Sequence, residues 1–150
     1  MEQKSLKISG LLPASKYRIE IGTMRVTEVS KLTSYFVQTL PNPPTIQLGQ
    51  VTKTDVVIFL WRPTSHPISG YSSTLEKEST SGNKIRKVRI KIDSRKVKLN
   101  SLEPGTYYKF VISSLEASQQ SEKRELRFLT KPAALEKLRY FTILVNSTNR

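Results

Sequence analysis

One sequence pattern occurs twice in this chain, and the second copy follows the first by 91 residues. Seven positions define the pattern without a gap: Leu6, Ile8, Leu11, Pro13, Tyr17, Ile19 and Ile21, then Val97, Leu99, Leu102, Pro104, Tyr108, Phe110 and Ile112. The same spacing relates Thr39 and Pro41 to Thr130 and Pro132. A period of this length holds a small domain with its own core, whereas solenoid repeats have about 20–50 residues. We therefore expect a fragment of a tandem array that begins inside one of its domains.

Each copy of the pattern predicts a strand, a turn and a second strand. The first strand, at Leu6 or Val97, alternates apolar and polar residues, as a half-buried strand does. The turn reads LLPAS or LEPGT, in which proline fixes one φ angle and, in the second copy, glycine supplies conformational freedom. The second strand begins at Tyr17 or Tyr108. A tyrosine in this place is typical of a tyrosine corner, whose hydroxyl bonds to upstream backbone.

The residue inventory argues against catalysis and metal binding. The chain has no cysteine, so a disulfide and a thiolate metal site are both excluded. Its one histidine, His66, lies between Pro63 and Pro67, and we predict an exposed loop residue there. The 12 acidic residues are scattered, and neither a nucleophile-elbow serine nor a glycine-rich phosphate loop occurs. We predict no catalytic residue, no metal and no cofactor.

These patterns resemble the fibronectin type III family. The resemblance rests on LxPGTxYxFxI from Leu102 to Ile112, on VIFLWRP around Trp61, and on PISGY leading to Tyr71. The segment PNPP at 41–44 is similar to an interdomain junction in such arrays. The resemblance covers essentially the whole chain. It implies an all-β, immunoglobulin-like β-sandwich in tandem modules.

The repeat and the resemblance together predict the domain boundaries. Residues 1–41 would be the C-terminal part of one module with strands E, F and G, residues 42–131 a complete module, and residues 132–150 the start of a further one. The strands of the complete module are predicted at A 45–51, B 56–61, C 69–77, C′ 84–92, E 95–99, F 106–114 and G 123–130.

Alternation along these strands predicts the inward positions. They are Ile46, Leu48, Val57, Phe59, Trp61, Tyr71, Leu75, Val88, Ile90, Ile92, Val97, Leu99, Tyr108, Phe110, Ile112 and Phe128. We expect the structural core to include Trp61, Tyr71, Leu102, Tyr108 and Phe110, with Tyr17 in the first copy. Trp61 and Tyr108 are expected to be buried in one cluster. Ser73 departs from the family, which usually has a buried apolar residue there, and it implies a shifted strand or a thinner core.

The charge is concentrated in one segment of a chain with a formal net charge of +13. Residues 84–98 contain eight basic residues against Asp93, namely Lys84, Arg86, Lys87, Arg89, Lys91, Arg95, Lys96 and Lys98. Alternation predicts that Lys87, Arg89 and Lys91 point outward in a row, about 7 Å apart. The sequence IRKVRI at 85–90 matches a spacing linked with heparin binding.

Two interpretations of this segment remain open. A sulfated glycan would bind such a row with release of counterions and with strong salt dependence. Alternatively, the cations protect an edge strand against aggregation. We predict no nucleic-acid binding, because the aromatic residues are expected in the core and none is interleaved with the basic run.

The resemblance implies a non-catalytic extracellular segment for cell adhesion or receptor recognition, as in receptor tyrosine phosphatases, adhesion receptors or tenascins. Its partners would be a protein ligand, neighbouring modules or a sulfated glycan. The alternatives are an intracellular structural spacer and an accessory module of a larger enzyme. No apolar run approaches the roughly 18 residues that span a bilayer, so membrane attachment would come through a longer parent chain. Asn146 begins an N-glycosylation sequon in a predicted A–B loop, a candidate site that would be accessible if the chain is secreted.

Overall fold

A computed structural model describes residues 5–26, 28–78 and 84–133, and this part of the chain contains 12 strands and no helix. The strands are β1 (Lys16–Ile21), β2 (Met24–Arg25), β3 (Glu28–Val29), β4 (Thr33–Gln38), β5 (Thr45–Val51), β6 (Val56–Trp61), β7 (Gly70–Lys77), β8 (Lys84–Lys87), β9 (Lys96–Leu99), β10 (Tyr107–Glu116), β11 (Gln119–Gln120) and β12 (Arg124–Leu129).

The part of the chain from β5 to β12 forms two antiparallel sheets that face each other. One sheet has the order β5-β6-β9, and the other has the order β11-β10-β7-β8, with β12 on the open side of β10. This arrangement confirms the predicted all-β sandwich. Six of the seven predicted strands agree with the structure to within two residues. Predicted strand C′ is the exception, because β8 ends at Lys87.

The core lies between the two sheets, where every second residue of each strand points inward. Its buried members are Val56, Ile58, Leu60, Leu75, Val97, Leu99, Leu102, Tyr108, Phe110, Ile112 and Phe128. Tyr108 and Phe128 stack with ring centroids 5.8 Å apart. Partly buried side chains extend this core, among them Ile46, Leu48, Tyr71, Val88 and Ile90. The burial of Leu102, Tyr108 and Phe110 agrees with the sequence prediction.

The predicted inward face of strand B is wrong by one residue. The structure buries Val56, Ile58 and Leu60, and it places Val57, Phe59 and Trp61 on the other face. Trp61 is 48% exposed and is therefore not part of a cluster with Tyr108. The segment VVIFLW is apolar throughout, so alternation could not distinguish its two faces. Pairing with β5 and β9 decides between them, because it places Ile58 opposite Leu48 and Val97.

Ser73 replaces an apolar core residue without a shift of its strand. Its neighbours in the alternation, Tyr71 and Leu75, keep their inward positions, and Ser73 is paired with Ile112 on β10. The buried hydroxyl of Ser73 donates a hydrogen bond to the carbonyl oxygen of Val88 at 2.7 Å. The amide of Val88 donates to the carbonyl oxygen of Ser73 at 3.0 Å. This hydroxyl thus ties β7 to the segment that follows β8.

The two copies of the sequence repeat share their tyrosine corner. The hydroxyl of Tyr17 accepts a hydrogen bond from the amide of Leu12 at 2.7 Å, and the hydroxyl of Tyr108 accepts one from the amide of Glu103 at 2.9 Å. The hydroxyl of Thr39 donates to the Leu12 carbonyl at 2.7 Å. Its counterpart Thr130 donates to the Glu103 carbonyl at 2.6 Å.

Strand register and backbone conformation repeat with the same spacing. Tyr17 pairs with Val37 on β4 as Tyr108 pairs with Phe128 on β12. Within the described ranges, the six residues with positive φ form pairs 91 residues apart, namely Gly10 with Ser101, Ala14 with Gly105, and Val26 with Ala117. The sequence repeat is therefore also a structural repeat.

The first copy has no opposing sheet in the described part of the chain. Strands β1 and β4 pair with each other, and β2 pairs with β3. The face that corresponds to the core is consequently open, and many apolar side chains of this region are exposed: Leu6, Ile8, Leu12, Ile21, Met24, Val29, Tyr35, Phe36 and Val37.

Candidate functional site

The eight basic side chains of residues 84–98 lie at two sheet edges. Strand β8 carries Lys84, Arg86 and Lys87 at the edge of the larger sheet, and β9 carries Lys96 and Lys98 at the edge of the smaller sheet. The remaining three, Arg89, Lys91 and Arg95, lie in the connection between these strands. All eight are exposed. The segment is thus a basic border along one side of the sandwich.

Arg86 links the two sheets at this border. It is paired with the buried Leu75, so its side chain starts from the inner face of the sheet. Its Nη2 donates a hydrogen bond to the carbonyl oxygen of Asn100, beyond the end of β9, at 3.1 Å. An inward-pointing charge at a sheet edge opposes pairing with another chain. This contact supports the edge-protection interpretation for Arg86.

Lys87, Arg89 and Lys91 remain on the outer side, but they do not share one strand. The intervening Val88 and Ile90 are partly buried, so the predicted alternation holds over these residues. The strand nevertheless ends at Lys87. A turn follows, in which the amide of Ser94 donates to the carbonyl oxygen of Lys91 at 3.0 Å. The chain then crosses to β9, so the predicted regular spacing of a strand does not extend past Lys87.

Nearby acidic residues pair with other cations. Lys77 forms an ion pair with Glu103, and this contact lowers the pKa of the Glu103 carboxyl group below its usual value. Lys109 pairs with Glu76 at 2.6 Å, and the hydrogen bond raises the pKa of the Lys109 ammonium group. These carboxylates therefore pair with cations outside the basic segment, and the charge of Lys84 also lowers the pKa of Glu103.

The structure reveals a second candidate surface that was not predicted from the sequence. The outer face of β5-β6-β9 presents Phe59 and Trp61, with ring centroids 6.2 Å apart. Lys96 lies directly across from Phe59 on β9, and Lys98 lies across from Val57. The sequence signal was the spacing of Phe59 and Trp61, two residues apart on one strand. Because the inward face of strand B was predicted wrongly, both aromatic rings were expected in the core. In the structure, aromatic and basic side chains meet on this face.

Gly49 positions the ring of Phe59. A Cβ atom at Gly49 would lie 2.9 Å from Cε2 of Phe59 and 2.9 Å from the carbonyl oxygen of Val57. The phenyl ring therefore lies over bare backbone of β5, where any larger residue would displace it.

A cleft of about 400 Å³ lies beside Trp61. Its lining includes the side chains of Arg62, Arg95 and Asp93. Two guanidinium groups against one carboxylate make it a basic cleft. Arginine binds carboxylates and other oxyanions through paired hydrogen bonds, so the cleft suits an anionic group.

The hydroxyl of Tyr71 is buried and has no hydrogen-bond partner among the described residues. Burial raises its pKa, while the nearby charge of Arg62 acts in the opposite direction. Tyr71 is thus only partly in the core: it packs against the core side chains, and the charges of Arg62 and Asp93 act on its hydroxyl.

His66 is buried, which corrects the prediction of an exposed loop residue. It is only 9% exposed. Its Nε2 accepts a hydrogen bond from the amide of Asn42 at 2.8 Å, and Nδ1 lies 2.8 Å from the carbonyl oxygen of Pro67. Because Nε2 accepts, these partners place a ring hydrogen on Nδ1, which donates to the Pro67 carbonyl oxygen. The imidazole therefore fastens the PNPP junction to the loop between β6 and β7.

Other classes of site find no support in the described ranges. These residues contain no group of three or more His, Cys, Asp or Glu side chains placed to hold a metal ion. They also contain no helix long and apolar enough to cross a membrane. Asn146 lies outside the described residues.

The sequence matches the family profile of the fibronectin type III domain over residues 41–127. The chain belongs to this family. It is 28% identical over 134 residues to Interference hedgehog of Drosophila virilis, a match that covers 80% of this chain and 15% of the relative. It is 24% identical over 123 residues to Tenascin-N of Mus musculus, with coverage of 81% and 8%. It is 23% identical over 124 residues to receptor-type tyrosine-protein phosphatase V of Rattus norvegicus, with coverage of 83% and 7%. The chain thus spans 15% or less of the length of these relatives.

Solved structures agree on the fold. A segment of two fibronectin type III domains from chicken tenascin has a TM-score of 0.56 at 22% identity, with 77% of this chain and 65% of that chain covered. The fibronectin type III domain of human collagen alpha-1(XX) has a TM-score of 0.53 at 28% identity, with coverage of 63% and 89%.

Proposed function

We propose that this chain is a non-catalytic binding segment of a longer extracellular or cell-surface protein, where it contributes to adhesion or receptor recognition. The observation that carries the proposal is the fibronectin type III match over residues 41–127, together with relatives that include a tenascin and a receptor-type phosphatase. Fold analogy supplies a class of function, and the ligand must be argued from surfaces.

We further propose the domain division on which this function rests. Residues 42–131 form one complete module, residues 1–41 are the E-F-G part of the preceding one, and residues 132–150 begin the next. The tyrosine corner and strand register that recur 91 residues apart support this division. The partners of the segment then include its neighbouring modules.

For the ligand of the basic border, we propose a sulfated glycan that contacts Lys87, Arg89 and Lys91. These cations are exposed on the outer side, whereas Arg86 is bonded to Asn100. Each ammonium or guanidinium group that pairs with a sulfate releases roughly one condensed counterion. Edge protection alone would require no glycan affinity beyond that of net charge.

Chromatography on heparin at increasing salt tests this site. Replacing the three cations together with glutamine should lower the salt concentration at elution and flatten the salt dependence. The matched control replaces three other exposed lysines, Lys53, Lys123 and Lys131. Lys109 is unsuitable as a control because it is paired with Glu76. Equal loss of retention in both variants would show that heparin responds only to net charge.

Antibodies against residues 42–131 test the proposed location in cells that express the full-length parent protein. Intact cells should be labelled, and external protease should remove the label. An enzyme that removes N-glycans should lower the mass of the protein if Asn146 is used. Labelling only after permeabilisation would contradict the proposal and favour an intracellular spacer.

A further inference from the structure

The outer face of β5-β6-β9 has an unusual composition for the solvent side of a sandwich. In such sheets the outward positions are typically polar. Here the central strand presents Phe59, 42% exposed, and Trp61, 48% exposed, and these two rings will be called the aromatic ridge. Both lie at outward positions of β6, where Phe59 is paired with Gln47 and Trp61 with Thr45 on β5. Their exposure follows from strand register and does not depend on a loop.

Cations border the aromatic ridge along β9 and at its end. Lys96 and Lys98 stand on the adjacent strand, and Arg62 and Arg95 line the cleft beside Trp61. Protein-binding surfaces are enriched in aromatic residues and arginine at their centre, with a polar border. A few residues of this kind supply most of the binding energy, with tryptophan and arginine over-represented among them.

We propose that this face binds a protein partner whose contact surface has an apolar centre and an acidic border. The inference rests on the proposed function as a binding module, and it assigns that function a surface separate from Lys87, Arg89 and Lys91. The partner's apolar side chains cover the aromatic ridge, and its carboxylates pair with Lys96, Lys98 and the arginines of the cleft.

Charge and chemistry select this occupant over others. A second copy of the chain would bring cations against cations, since the formal net charge is +13. A sulfated glycan gains its affinity from cations and offers little apolar surface to cover two aromatic rings. A carboxylate-bearing protein surface satisfies both the rings and the cations, and opposite charges also accelerate association.

The test uses random peptides displayed on phage and selected against the full chain. Counter-selection uses a variant with Phe59→Thr and Trp61→Thr, which keeps a β-branched residue at each strand position. This counter-selection removes peptides that bind to other surfaces, including peptides that bind to the open apolar face of β1 and β4. The remaining peptides should combine Asp or Glu with apolar residues. Their affinity should fall about tenfold or more with Trp61→Thr alone, and it should fall and lose salt dependence with Lys96→Glu and Lys98→Glu together.

A matched control is Tyr107→Thr, which removes an exposed aromatic ring from the other sheet. This variant should leave peptide affinity unchanged, and the aromatic variants should leave heparin retention and the circular dichroism spectrum unchanged. The proposal is overturned if no peptide survives counter-selection or if the survivors are not acidic. It is also overturned if Trp61→Thr abolishes binding of heparin or single-stranded DNA, because the face would then serve a glycan or a nucleic acid. The variant in which glutamine replaces Lys87, Arg89 and Lys91 should still bind the selected peptides, even if it no longer binds heparin. The glycan proposal and the protein-partner proposal can therefore fail independently.

Discussion

Residues 10–41 and residues 101–132 have the same turns, the same strand register and the same tyrosine corner, but among the described residues only the second set lies under an opposing sheet. Ile112 is 0% exposed in the covered copy, while its counterpart Ile21 is 57% exposed. The hydrogen bonds of the corner are nevertheless present in both copies. Local sequence therefore specifies the corner, whereas burial against β5 and β6 must supply the stability.

The largest expected effect comes from the same substitution at these two isoleucines. Ile112→Ala should lower the free energy of unfolding by about 2–5 kcal/mol, because it leaves a cavity in the core. Ile21→Ala should change it by less than about 0.5 kcal/mol, as at other exposed positions. Chemical denaturation followed by the fluorescence of Trp61, the one tryptophan, measures both. Equal losses would mean that the first copy shares a core with the module.

A comparison within β6 tests which face of this strand is covered. Leu60→Ala should cost about 2–5 kcal/mol, since Leu60 is buried. Trp61→Ala should cost less than about 1 kcal/mol, since Trp61 is half exposed and lies outside the core. Thermal unfolding followed by circular dichroism compares them without the tryptophan signal. The opposite ranking would restore the inward face expected from the sequence.

The turn before the tyrosine corner has a positive φ angle in both copies, at Ala14 in the first and at Gly105 in the second. The second copy allows the cost of this backbone conformation to be measured. Gly105 has a φ of +61°, and an added Cβ would meet nothing closer than Pro132 at 3.7 Å. Gly105→Ala should therefore cost about 1–2 kcal/mol, almost entirely from the left-handed conformation. Ser101→Gly, at another positive φ, should not destabilise the module. Urea denaturation distinguishes them, and a neutral Gly105→Ala would contradict the backbone geometry.

The smallest expected effect is at the tyrosine corner. Tyr108→Phe removes the acceptor for the amide of Glu103 and should cost about 0.5–1.5 kcal/mol of global stability. Tyr17→Phe removes the equivalent acceptor for the amide of Leu12, and it should accelerate exchange of that amide without changing the unfolding of the module. Proton NMR with denaturant titration measures both. A global loss from Tyr17→Phe would show that the copies are coupled.

Most of the fold was predictable because its signals are local or periodic. The repeat identified both tyrosine corners, and the repeat together with the family resemblance placed six strands of the module to within two residues. Three features were not predictable. The face of β6 depends on which side chains of β5 and β9 it meets, and a continuous apolar run carries no such information. The early end of β8 follows from the turn that takes the chain across to β9. The burial of His66 depends on Asn42, which is distant in sequence.

The candidate site was predictable in composition and only partly in geometry. Lys87, Arg89 and Lys91 lie on the outer side as expected, and the alternation around Val88 and Ile90 holds. The division of the eight cations between two sheet edges required the strand pairing. The aromatic ridge could not be found while Trp61 was assigned to the core, so the single error in β6 concealed the second surface.

Hydrogen exchange of the full chain tests the central claim most directly. Amides protected by a covered sheet open only with global unfolding, whereas those of an uncovered two-stranded pair open locally. Amides of β6, β7 and β10 should therefore exchange slowly, and those of β1 and β4 should exchange faster by orders of magnitude despite the same register. Uniformly slow exchange across residues 16–38 in a monomeric chain would contradict the claim that stability comes from the opposing sheet.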